Sequence, residues 1–173
     1  MSGATDLIDG AAADAAAAES LAELGDALVR RLTGHIPFDR FNIGLIDPVP
    51  HVFHDAYIQG RNVAGRATGH LRTLDGTVVE AAMRAGGAFQ FGDSDRDRWT
   101  ARFPRFGPVY ESGIRAMMAV PMGAEGRIVA SLVFASQDPR AYPPGVVALA
   151  AAIGIVVAGP VAVLGRTAVL PDS

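Results

Sequence analysis

GIRAMMAVPMGAEGRIVASLVFASQDPRAYPP, residues 113–144, decides the fold. Its runs Ile114–Met122 and Arg127–Ser136 are parted by Gly123-Ala124-Glu125-Gly126, which predicts an antiparallel hairpin with a four-residue loop. Both runs are apolar on both faces, so the two strands are expected at the centre of a sheet that is covered on each side.

Outward from this hairpin the other elements follow. Toward the C-terminus, Pro143 and Pro144 precede an apolar helix expected over Gly145–Leu164, with a frayed tail at residues 166–173. Toward the N-terminus, the charged and aromatic stretch Asp93–Phe106 has no period and reads as an excursion off the sheet, with a helical turn at Pro108–Ser112. Ala88–Phe91 is a short strand candidate. Val78–Arg84 is a short helix, capped by Asp75 or Thr77 and ended at Gly86-Gly87. Gly60–Gly69 holds Gly at three places and no apolar period, so it is a loop. Phe38–Ile46 and His51–Ile58 read as paired strands joined through Asp47, Pro48 and Pro50. Ala11–Leu32 is expected as one helix whose Leu21, Leu24, Leu28 and Leu32 form an apolar stripe, preceded by a flexible segment at residues 1–10. The order α-β-β-α-β-α-β-β-α argues one α+β domain over residues 11–165, with helices packed on an antiparallel sheet.

Composition narrows the chemistry. The chain has 173 residues, is 50% hydrophobic and carries a formal charge of −3; its mean hydropathy is +0.25. A large core is expected, with no positive field to attract nucleic acid. All the basic residues are Arg, so a Schiff-base Lys and a phosphate-loop Lys are excluded; with no Cys, so are disulfides, thiolate nucleophiles and thioether-linked chromophores. Residues 1–10 carry Asp6 and Asp9 and no basic residue, unlike a secretory signal, which makes a cytoplasmic location the default.

Three segments together resemble a GAF domain: IPFDRFNIGLID at Ile36–Asp47, LDGTVVEAAMRAGGAFQFGD at Leu74–Asp93, and the closing hairpin with Val120-Pro121-Met122 where the family has V-P-L. The likeness runs from about Glu19 to Leu164, with Ala130-Ser131 where the family often places Gly. It implies N- and C-terminal helices on one sheet face, often used for dimerisation, and a small-molecule pocket roofed by loops on the other. A regulatory domain follows, expected to act as a homodimer or through a separate signalling or complex-forming protein. The resemblance implies pocket candidates Asn42, Tyr57, His70, Arg72, Phe91, Trp99, Arg115 and Met117. Arg72 and Arg115 would hold an anionic group and the aromatics would enclose a planar body.

Other patterns are weighed against plainer readings. His51 and His54 lie three apart on a strand, facing opposite ways, so no metal is expected. His70 could ligate haem, although an ordinary loop histidine is the simpler reading, and the cofactor stays open. Asp93, Asp95 and Asp97 resemble the start of a calcium loop, but Arg98 and Pro104 stand where its Gly and Glu belong. Trp99, Phe103, Phe106 and Tyr110 either close a small core or line a ligand lid. No G-x-S-x-G elbow is present, and no catalytic residues are expected. Residues 146–165, twenty without a charge, meet the length of a membrane span, yet burial against the sheet and a second protomer is the favoured reading. The alternatives are an accessory subunit without ligand and a membrane-tethered sensor.

Overall fold

The computed structural model describes residues 2–49 and 51–169. Two helices, α1 (Ser2–Ala17) and α2 (Leu21–Leu32), lead into strands β1 (Arg40–Asp47), β2 (Val52–Gly60) and β3 (Leu71–Thr73). Then come α3 (Val78–Ala85), β4 (Phe89–Gly92), α4 (Arg96–Arg102), α5 (Gly107–Glu111), β5 (Ala116–Ala124), β6 (Arg127–Ser136) and α6 (Pro144–Val169). The six strands form one antiparallel sheet in the order β3-β2-β1-β6-β5-β4.

The β5–β6 hairpin sits near the centre, as its two-sided apolar pattern requires. Met118, Val120, Leu132 and Phe134 enter one core; Met117, Ala119, Val133 and Ala135 enter another on the opposite face. Its turn is tighter than the expected four residues. Only Glu125 and Gly126 lie between the strands, at φ +54° and +78°, the left-handed pair of a two-residue hairpin turn.

On one face α2 lays down Leu21, Leu24, Leu28 and Leu32, while α6 lays down Ala150, Ile153, Val157 and Val161; α1 lies along both helices. Gly154 permits the close approach of α6, since a Cβ there would fall 2.6 Å from Val120. Among the described residues nothing covers the outer side of α6. Ala148 and Gly159 are exposed there, and Ile155 and Val163 are 78% and 58% exposed. By length and composition alone α6 could cross a membrane, with a mean hydropathy of 2.6 over Pro144–Thr167; a third of its most apolar window is buried in the fold.

On the other face α3, α4 and α5 cover a second core of Leu74, Val78, Val79, Trp99, Phe103 and Phe106. The excursion therefore contains a helix, α4, capped by Asp95, whose side chain accepts from the Arg98 N–H at 3.0 Å. Trp99, Phe103 and Phe106 pack ring to ring with centroids 5.0–6.3 Å apart, closing the core as the first of the two sequence readings expected.

Three boundary expectations are corrected. The N-terminal segment is helical from Ser2, and the single helix Ala11–Leu32 is broken at Ala18–Ser20, where Ser20 caps α2 by accepting from the Glu23 N–H. At the other end α6 continues through Val169, past the expected stop at Leu164; the rest of the expected tail lies outside the described residues.

Candidate functional site

Between the sheet and the loop–α3 layer lies a small, partly open cavity of about 30 Å³. Asn42 of β1, Phe53 of β2, Met117 of β5 and Val133 of β6 form its floor. Its roof and walls come from Arg66 on the β2–β3 loop, Arg72 on β3, Thr77, Val78 and Val79 at the start of α3, and Phe106. Arg40 closes one end.

Asp55 lies behind this wall, fully buried. A buried carboxylate needs a charged partner and hydrogen bonds. Arg72 supplies a two-pronged pair, Nε to Oδ2 and Nη2 to Oδ1, both 3.0 Å, and Asn42 Nδ2 donates to Oδ1 at 3.2 Å. Arg72 also lies over the Phe53 ring, 5.3 Å from its centroid. Phe53 in turn occupies the space over Gly44, where any Cβ would collide with the ring.

Arg40 is buried, and its Nη1 and Nη2 donate to the carbonyls of Arg61 and Arg66, each at 2.9 Å. Burial pulls its pKa below the ordinary value; Asp55 acts in opposition and Arg72 adds to the fall. Arg66 rests on Phe106, 4.9 Å from the ring centroid, and donates to the Arg105 carbonyl at 3.1 Å. Burial, with the neighbouring charges of Arg72 and Arg40, pulls the Arg66 guanidinium down to about 10 against the attraction of Asp55. The loop that carries Arg66 is itself pinned: Asp55 N–H donates to the His70 carbonyl, and Gly69 N–H to the Asp55 carbonyl.

Of the expected pocket residues, Asn42, Arg72 and Met117 line the cavity. Tyr57 does not. A bulge between Ile43 and Gly44 pairs Ile43 with Tyr57 but Gly44 with Asp55, leaving Ala56 unpaired, so Tyr57 turns to the helix-covered face. There its hydroxyl donates to Asp26 at 2.6 Å. His70 is exposed and its Nδ1 lies 3.0 Å from the Gly65 carbonyl, which occupies it within its own loop. Trp99 is fully buried and its indole N–H donates to the Asp93 carbonyl; Phe91 packs edge-on against it at 4.9 Å. Both support α4 and do not reach the cavity.

Arg115 also stays away. Its guanidinium stacks on Tyr110 at 3.6 Å and donates to the Tyr110 and Ile114 carbonyls. Arg40, Asp55 and Arg66 were missed by the sequence reading. Asp55 carried a signal, an acid in the otherwise apolar and aromatic run VFHDAYI; Arg66 carried none.

Two other places were candidates for binding. An open groove of about 920 Å³ runs past Leu45, Val52, His54, Leu71 and Ala162 at the hairpin end of the sheet. Its one basic pair of walls, Arg127 and Arg166, is balanced by Asp47 and Glu125, and Arg166 is already bonded to Glu125. The second is His51, Asp75 and Glu80, whose donor atoms all lie within 4.8 Å of one another, a spacing that a divalent cation could bridge. As built, His51 Nε2 stands 3.0 Å from Glu80 and 3.3 Å from Asp75, clasping the start of β2 to α3.

Comparison with known folds agrees with this architecture. The GAF domain of a phosphoenolpyruvate-protein phosphotransferase from Coxiella burnetii matches with a TM-score of 0.72 at 15% identity, covering 98% of each chain. The GAF domain of a two-component sensor histidine kinase from Bacillus halodurans gives 0.68 at 10% identity, over 87% of this chain and 99% of that one. A free methionine-R-sulfoxide reductase from Neisseria meningitidis, in complex with its substrate, gives 0.69 at 14% identity over 95% and 91%. These likenesses are of fold. No curated protein matches the sequence. The family model of the GAF domain matches residues 20–159, from the start of α2 into α6, and the chain belongs to the GAF domain family.

Proposed function

We propose that the chain is a ligand-responsive regulatory domain without catalytic machinery, acting in the cytoplasm as a homodimer through α1 and α6 and passing its signal to a separate protein. The observation that carries this reading is the placement of two unlike surfaces on either side of one sheet. One face holds the Arg-lined cavity, and the other carries a helix whose outer stripe of Ala148, Ile155, Gly159 and Val163 is apolar and uncovered. Adjacent residues of the same strand serve both: Met117 floors the cavity while Met118 enters the α6-side core. A shift of β5 on ligand binding therefore reaches the packing beneath α6.

The absence of catalysis is supported by the lining itself. It offers Arg, Asn, Thr and apolar side chains, with no His, Asp or Glu to move a proton near neutral pH and no Cys in the sequence. The small cavity volume favours one second reading, an accessory subunit whose pocket is filled by its own side chains. Native mass spectrometry and thermal melting of the purified protein separate the two. The regulatory reading expects a species at twice the 18.0 kDa chain mass and a melting point raised by a small molecule. A dimer indifferent to every small molecule in a metabolite panel would establish the accessory reading, and a detergent requirement would point to a membrane-tethered α6.

A further inference from the structure

His51, Asp75 and Glu80 come from three segments: the turn before β2, the loop after β3 and the first turn of α3. Their donor atoms nevertheless lie within 4.8 Å of one another, with His51 Nε2 between the two acids, 3.0 Å from Glu80 and 3.3 Å from Asp75. None of the three lines the cavity or the open groove. Hydrogen bonding alone serves this arrangement badly. An imidazole carries at most one hydrogen on Nε2, so it can donate fully to one carboxylate and not to both. The Arg84 guanidinium stands 3.4 Å from the other oxygen of Glu80, on an exposed side chain whose charge water screens. A cation with several coordination positions accepts from all three donors at once.

The donors are also held in place from behind. The Glu80 side chain is only 12% exposed, and its Oε1 accepts from the Gly76 N–H at 3.2 Å, which leaves Oε2 turned to His51. His51 has φ +67°, a backbone region that few residues other than Gly adopt, and its carbonyl accepts from the Leu74 N–H at 3.0 Å. That bond ties the turn to the loop carrying Asp75. The Asp75 side chain is 67% exposed, so it has room to rotate and shorten the remaining edge of the triangle.

The donor set narrows the ion. A tetrahedral zinc with bonds of about 2.0–2.2 Å keeps its ligand atoms roughly 3.3 Å apart, close to the two distances at His51. Calcium asks for about six to eight oxygens and magnesium for a near-octahedral shell of oxygen and water, whereas an imidazole nitrogen suits a first-row transition metal. We propose that His51, Asp75 and Glu80 bind one divalent cation of the zinc class, with water in the remaining position. The ion ties the turn before β2 and the loop after β3 to α3, the helix that walls the cavity through Val78 and Val79. It is a clasp on the outside of that wall, and it stands or falls independently of the regulatory reading.

The test is calorimetric titration of the full chain, freed of metal by a chelator, with zinc chloride near neutral pH, and with magnesium chloride for comparison. Wild type, His51→Gln, Asp75→Asn and His70→Gln are compared, each also melted with and without zinc. One zinc per chain is expected, with a melting point that zinc raises and EDTA returns to the metal-free value. Affinity should fall about tenfold or more in His51→Gln and Asp75→Asn and stay unchanged in His70→Gln. Asp75 is exposed, so Asp75→Asn keeps the test decisive if His51→Gln fails to fold. Zinc that binds no tighter than magnesium, or binding equal in wild type and the folded His51 and Asp75 variants, would overturn the proposal.

Discussion

Removing the Asp55 carboxylate leaves Arg40, Arg66 and Arg72 facing one another without compensation. Asp55→Asn should therefore destabilise the fold by about 3–5 kcal/mol in urea denaturation, the usual cost of breaking a buried ion pair from one side. Glu80 gives a second residue-scale test. Partial burial opposes its ionisation, but the hydrogen bonds from His51 and the Gly76 N–H and the charge of Arg84 outweigh that, so its carboxyl titrates below the ordinary value. A depressed carboxyl pKa stabilises the fold fully above the unfolded value, about 4.3, and that contribution disappears as the pH falls through the folded one. Glu80→Gln should cost about 1–3 kcal/mol at neutral pH, with the gap to wild type closing below about pH 4 in pH-dependent unfolding. Asn42 and Met117 were legible as cavity residues because the family resemblance gave the pocket face and strand alternation assigned them to it. Alternation failed for Tyr57 because the unpaired Ala56 reverses the face, and nothing in the local sequence announces that bulge. Arg66 was hidden for a different reason: a long side chain reaches the cavity from a loop with no periodicity.

At the scale of elements, the α4 layer is held to the sheet by aromatic packing more than by hydrogen bonds. Trp99→Ala should cost about 3–5 kcal/mol, read by equilibrium denaturation, because a fully buried indole leaves a cavity among Phe91, Phe103 and Phe106. A loss below 1 kcal/mol would mean that the layer is loosely attached. The hairpin, α2 and α3 were readable because each joins a clear period to turn or capping residues. The three-residue β3 was not, being too short for a period and preceded by a loop rich in Gly. The break between α1 and α2 did carry a signal, Ser20 followed by Glu23, in which Ser20 accepts from the Glu23 N–H while Glu23 accepts from the Glu19 N–H. The Ala-rich run on its N-terminal side masked it, since alanine favours helix throughout and marks no face.

For the whole molecule, the sheet is a shared wall, and the account requires that its two sides communicate. The proposed dimer surface is tested by Ile155→Glu combined with Val163→Glu, which places charge on the exposed stripe without touching the buried one. The double variant should sediment at the 18.0 kDa chain mass where wild type sediments at twice that, with an unchanged melting point extrapolated to low concentration. The central claim is that occupation of the cavity alters association through α1 and α6. Sedimentation equilibrium of wild type, with and without a saturating concentration of a small molecule that raises its melting point, measures it most directly. A change of about fivefold or more in the dimer dissociation constant, absent in Arg66→Gln, is expected from a coupling of ordinary size. Identical constants in the empty and saturated protein would contradict it.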